Sequence, residues 1–100
     1  MKKYKEFEID GVKYTIEYKK EIVVDDKGVY GTVTYPTSTI ALVETMQGHK
    51  VNQDVTDWTM YHEIAHIMLN NIGIDIPETS IERLAERLGS MLLQMNKTLK

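Results

Sequence analysis

Residues 54–73, DVTDWTMYHEIAHIMLNNIG, place apolar or bulky side chains nearly all round a helical wheel: Val55, Trp58, Tyr61, Ile64, Ala65, Ile67, Met68 and Leu69. The apolar residues no longer alternate here, and Gly73 offers a C-terminal stop. The spacing predicts a helix from about Asp54 to Asn71. A helix that is apolar on every side belongs at the centre of a fold. Yet its middle holds two of the chain's three histidines with a glutamate directly after the first: His62-Glu63-Ile64-Ala65-His66. Burying such groups without partners is expensive, so their presence there asks for a partner.

The chain before this helix reads as strands. In FEIDGVKYTIEY, Asp10-Gly11 separates two alternating runs, and a two-residue Asp-Gly loop favours a tight hairpin turn. Val12, Tyr14, Ile16 and Tyr18 point one way and Lys13, Thr15, Glu17 and Lys19 the other, the pattern of a half-buried antiparallel strand. Asp25 to Gly28 (DDKG) is the next turn signal, Val29 to Tyr35 alternates again, and Pro36-Thr37 closes it. Ser38 to Glu44 is the last extended run, apolar on both faces from Ile40 to Val43.

After the helix, Asp75-Ile76-Pro77-Glu78 resembles a helix start, with Asp75 as cap and Pro77 in the first turn. Ile81, Leu84, Ala85, Leu88, Leu92 and Met95 form one helical stripe, with Arg83, Arg87 and Ser90 opposite it facing water. The fold class expected is α+β: an N-terminal antiparallel sheet, then the histidine-bearing helix, then a second helix, with residues 1–100 as a single domain.

Composition narrows the setting. There is no cysteine, which removes disulfides and thiolate ligands. A net charge of −3 with dispersed basic residues gives no reason to expect a nucleic-acid surface. MKKYKEFEID lacks the apolar stretch of a secretory signal, and no segment approaches a membrane span, so the expected setting is cytoplasmic. The six methionines read as filler for an irregular core, and Trp58 as core rather than cleft.

Residues four apart stack on one helix face, so His62 and His66 aim two imidazoles at one point, while Glu63, turned by about 100°, reaches the metal's water without ligating. This is the physical content of the H-E-x-x-H pattern of zinc peptidases. A catalytic zinc needs a third protein ligand and one open position. No histidine follows His66, leaving Asp75, Glu78, Glu82 and Glu86. Measured from Ile81 on the wheel, Glu78 lies about 60° round, Glu82 about 100° and Glu86 about 140°. Gly89 shares the flank of Glu82, where another helix can come close. Glu82 is therefore the favoured ligand, with Glu78 the substitute; first-turn Glu78 also has an ordinary capping and dipole role, and Thr79 to Glu82 could form a capping box.

HEIAH followed by SIERLAERLGSMLL resembles the ImmA/IrrE-like metallo-endopeptidases, especially the short versions of phages and mobile elements. In that family a second helix carries Glu, two residues, Ala, then apolar positions; Glu82, Ala85, Leu88, Leu92 and Leu93 fit. The resemblance covers about Thr37 to Met95. It implies His62, His66 and Glu82 as ligands of one Zn²⁺ per chain (a gluzincin-type set), Glu63 as catalytic base, and a minimal zincin-like fold with Ser38 to Glu44 as the edge strand along the cleft. Where the family has Asn after the Ala, this chain has Glu86, a candidate to orient His62 from behind.

The activity expected is hydrolysis of a peptide bond, with zinc-bound water activated by Glu63. The partner is a protein or peptide substrate, a repressor-type regulator by the resemblance, added as a strand to the Ser38 to Glu44 edge. Tyr30, Tyr35, Tyr61 and His49 are the candidates for a second oxyanion donor, with His49 more at home as a solvated loop residue. The alternatives are a catalytically silent, zinc-containing protein-binding module and, more remotely, hydrolysis of a small amide or ester.

Overall fold

The computed structural model describes residues 3–100; Met1 and Lys2, the head of the lysine-rich segment, lie outside the described residues. Short strands lead, two long helices follow. The strands are β1 (Glu6–Ile9), β2 (Val12–Lys19), β3 (Val23–Val24), β4 (Lys27–Gly28), β5 (Gly31–Thr34), β6 (Thr39–Val43), β7 (Thr45–Met46) and β8 (His49–Lys50). The helices are α1 (Gln53–Ile72) and α2 (Glu78–Thr98).

Tight turns make the hairpins. Asp10 and Gly11 both take positive φ (52° and 76°) between β1 and β2, as the Asp-Gly signal predicts. Asp25 and Asp26 do the same between β3 and β4, in the expected DDKG turn. Along β2, Tyr14 and Ile16 are buried and Tyr18 half-buried, but Val12, at the hairpin end, is exposed.

The main sheet has the order β1-β2-β6-β5 and is mixed rather than antiparallel. β1 pairs with β2, and β5 with β6, antiparallel; β6 runs parallel to β2, with Thr15 beside Thr39 and Lys19 beside Val43. Ile40, Ala41, Leu42 and Val43 are all buried, as in a strand covered on both faces. A 3₁₀ turn at Tyr35–Thr37 folds it back along β5, and the opposite edge then lies parallel to β2. The Ser38 to Glu44 run is thus interior, and the sheet edge on this side is β5.

The helix apolar all round is indeed central. Met60 and Ile67 join Tyr14, Ile16, Ile40 and Leu42 in one core cluster. Ala65 and Leu69 join Ala85 in another, with Ile81 and Leu88 against it. α1 therefore lies between the sheet and α2. Asn52 caps it by accepting from the Val55 N–H at 3.0 Å, and Gly73, at φ 77°, ends it. No helix among the described residues is long and apolar enough to cross a membrane.

α2 begins two residues later than the sequence suggests. Pro77 stands at the cap position with ψ 147° and no side-chain cap bond, so Asp75 does not cap. Ile76, preceding a proline, is biased to extended backbone, which moves the start past it. Of the expected stripe, Ala85 is buried and Ile81, Leu88 and Leu92 half-buried, whereas Leu84 and Met95 stay exposed. They lie about 100° and 80° from Ala85, too far round for α1 to cover. Arg83 and Arg87 face water as expected; Ser90 is half-buried.

The two helices touch backbone to backbone at Gly89. A Cβ there would lie 2.9 Å from both the His62 Cα and the Tyr61 carbonyl oxygen and 3.0 Å from the His62 nitrogen. None of these atoms is the end of a movable side chain. Gly89→Ala is expected to force the helices apart and destabilise the fold by about 1–3 kcal/mol, seen as a lower midpoint in thermal or urea unfolding followed by circular dichroism. An unchanged midpoint would mean that the close approach carries no constraint.

Candidate metal centre

One turn of α1 separates His62 from His66, and both rings turn toward the α1–α2 seam, their Nε2 atoms 3.2 Å apart. Glu82 enters from α2, fixed there by the close approach at Gly89. Its Oε1 lies 2.8 Å from His62 Nε2, and its Oε2 3.1 Å from His66 Nε2. His62, His66 and Glu82 thus form a group that could hold a metal ion. Glu78, the substitute, is not in that group. Thr79 to Glu82 is no capping box either, since α2 is already under way and Glu82 faces the imidazoles.

Donor chemistry and spacing both fit zinc. Two imidazoles and a carboxylate are a common zinc set with the fourth position left open. Bonds of about 2.0–2.1 Å in a tetrahedron put ligand atoms about 3.3–3.4 Å apart; the two Nε2 atoms stand 3.2 Å apart, and one atom from each of the three residues lies within 4.8 Å of the others. Two Nε2 atoms facing each other are also poorly served without a cation or a shared proton between them. His62 Nδ1 is buried with no hydrogen-bond partner among the described residues. Glu86, proposed to orient it, is exposed and lies about 40° further round α2 than Glu82, on the solvent side.

Glu63 is 8% exposed and lines the cleft beside the cluster. Burial first, and the Glu82 charge second, push its carboxyl from 4.5 up to about 7. The cleft has a volume of about 800 Å³, bounded by Gly31, Thr32 and Val33 of β5 on one side and by Glu63, His66, Ile81 and Glu82 of the helices on the other. β5 comes close because residue 31 is glycine: a Cβ there would lie 2.6 Å from Thr59 Cγ2 on α1. Among the described residues the outer edge of β5 pairs with no other strand. Tyr30 oxygen accepts from the Val43 N–H toward β6, so by alternation Gly31 and Val33 turn their N–H and C=O groups outward.

Of the four candidates for a second donor, Tyr35 is the one that lines this cleft. Its hydroxyl lies 3.4 Å from the His66 carbonyl, and burial raises its pKa, keeping it a proton donor. Tyr30 lines an adjoining hollow with His62, Glu63, His66 and Glu82; Tyr61 and His49 line neither. Trp58 corrects the expectation of a core residue: its ring centre is 5.0 Å from that of His62, and it walls the same hollow. Helical spacing carried that signal, since Trp58 lies four residues before His62.

Comparison with protein-family models, with curated proteins and with solved structures gave no match.

The raised Glu63 pKa has a consequence for the metal-free protein. The folded state holds this proton more tightly than the unfolded chain, so ionising Glu63 weakens the fold. That penalty is absent below about pH 4.5 and complete only above about pH 7. Glu63→Gln is expected to stabilise the metal-free protein by about 1–3 kcal/mol near pH 8 and by close to nothing near pH 4, read from urea unfolding at both pH values. Equal gains at both would assign the effect to packing instead.

Proposed function

We propose that this chain is a zinc-dependent endopeptidase of the minimal zincin-like kind, acting on a partner protein. One observation carries the reading: three ligand atoms from two helices meet beside a buried carboxylate, in a cleft bordered by a free strand edge. His62, His66 and Glu82 would hold the zinc ion, which when bound supplies Lewis acidity at a carbonyl oxygen and lowers the pKa of water.

The chain's own groups do the rest. Gly31 and Val33 pair with an extended substrate through their outward N–H and C=O groups, laying it along β5 as an added strand. Glu63 accepts a proton from the attacking water and returns it to the leaving amine; a carboxyl poised near neutrality serves both steps. The Tyr35 hydroxyl, at the end of β5, donates to the oxyanion of the substrate carbonyl. A repressor-type regulator is the partner that the ImmA/IrrE-like resemblance points to.

Zinc-loaded wild type and Glu63→Gln, incubated with a peptide mixture and followed by mass spectrometry, test this. Wild type is expected to cleave, and the variant to lose about 10²–10⁴-fold in rate while keeping its zinc. Tyr35→Phe is expected to lower kcat by about 10²-fold with the metal retained. Full function of Glu63→Gln would make the domain a docking module that keeps its metal for structure.

A further inference from the structure

A histidine that ligates a metal through Nε2 normally gives its Nδ1 proton to a carboxylate, a carbonyl or a water, and that bond holds the ring in line with the metal. His62 has no such bond: its Nδ1 is buried and without a hydrogen-bond partner among the described residues. Glu86, the residue the family pattern offers for the task, stays exposed on α2. The ring nonetheless needs a fixed angle. Rotation about its bond to the chain would carry Nε2 away from the Glu82 oxygen 2.8 Å off and out of the group formed with His66.

Packing around His62 supplies the missing constraint. Its Cα lies against Gly89 of α2, where a Cβ would stand 2.9 Å away, so the backbone of this residue is pinned. Along one face of α1, Trp58, His62 and His66 follow at four-residue steps, and their rings meet in series. The Trp58 ring centre is 5.0 Å from that of His62, with the planes 37° apart. The His66 ring centre is 4.9 Å from it, at 63°. Both separations are those of close aromatic pairs.

The His66 ring belongs to the metal group, and the Trp58 ring does not. An indole on an apolar helix is ordinarily core, but Trp58 belongs to neither core cluster. It lines one hollow together with His62, His66 and Glu82, and the His62 side chain beside it is only 12% exposed.

We infer that Trp58 is a positioning residue: its indole holds the His62 imidazole at the angle that metal binding needs, in place of the hydrogen bond that Nδ1 lacks. This rests on the metal reading of His62, His66 and Glu82 and not on peptide cleavage.

Zinc affinity, measured by competition with a chromophoric chelator for wild type, Trp58→Phe and Trp58→Leu, tests it. Leucine keeps apolar bulk at position 58 without a flat ring, and phenylalanine restores the ring. Trp58→Leu is expected to bind zinc about 10–100-fold more weakly than wild type, the usual loss when the group supporting a ligand is removed. Trp58→Phe is expected to recover most of that loss. Urea unfolding of the metal-free proteins should give the two variants the same midpoint, which separates a held ring from a better-packed fold. In wild type, nuclear Overhauser contacts between the Trp58 indole and the His62 ring protons should be present without zinc and persist with it.

Equal zinc affinity in wild type and Trp58→Leu would overturn this inference and leave the metal group standing. So would a Trp58→Phe protein as weak as Trp58→Leu, a lower metal-free midpoint for Trp58→Leu than for Trp58→Phe, or an indole that leaves His62 when zinc binds. Failure of wild type to take up zinc would remove the metal group and this inference together.

Discussion

Gly89 lets α2 lie directly on the α1 backbone at Tyr61 and His62, and the rest of the site depends on that contact. A carboxylate on a neighbouring helix reaches a histidine pair only if the two helix axes run unusually close. Removing the side chain at position 89 makes the approach possible, and Ala85, fully buried one turn earlier, extends it. Glu82, seven residues before Gly89 and so on nearly the same face, then meets both imidazoles at 2.8 and 3.1 Å. A second glycine does the equivalent on the sheet side, where Gly31 lowers β5 onto Thr59. Two missing side chains thus bring a ligand and a strand edge to the same turn of α1.

The position of α1 also sets the protonation of Glu63. Packed by the sheet on one side and by α2 on the other, it buries Glu63 deeply enough to raise its pKa toward neutrality while leaving it at the cleft wall. An exposed glutamate would remain ionised near pH 7, and under the peptidase proposal it would be a weaker acid–base group. The same burial weakens the metal-free fold above neutral pH, a cost carried by the site and not by the core.

Much of this was legible in the residues. The all-round apolar character of residues 54–71 predicts a central helix, and the four-residue spacing of His62 and His66 predicts converging imidazoles. Gly89 on the flank of Glu82 singles out that carboxylate, and the structure brings it to the pair. What could not be read was the strand order. Apolarity on both faces of residues 40–43 is compatible with a cleft-side edge or a central strand, and only the pairing with β2 on one edge and β5 on the other decides for the centre. The parallel pairing with β2 depends on contacts distant in sequence, to which local alternation is blind. Trp58 escaped, and Tyr35 could not be chosen over Tyr30, Tyr61 and His49, for a related reason: an aromatic in an apolar helix and a tyrosine after a strand look alike whether they face core or cleft. The role of Glu86 behind His62 came from the family pattern, whereas its place on the wheel, about 140° from Ile81, already set it on the solvent side of Glu82.

His62, His66 and Glu82 are proposed to hold one metal ion between two helices. Metal content per chain, measured by plasma mass spectrometry on purified wild type beside Glu82→Ala, tests it most directly. About one zinc per wild-type chain, and far less in the variant, is the result this account predicts. A wild-type chain that takes up no metal even when zinc is offered would contradict it, and would reduce the three side chains to a hydrogen-bonded ion pair between helices.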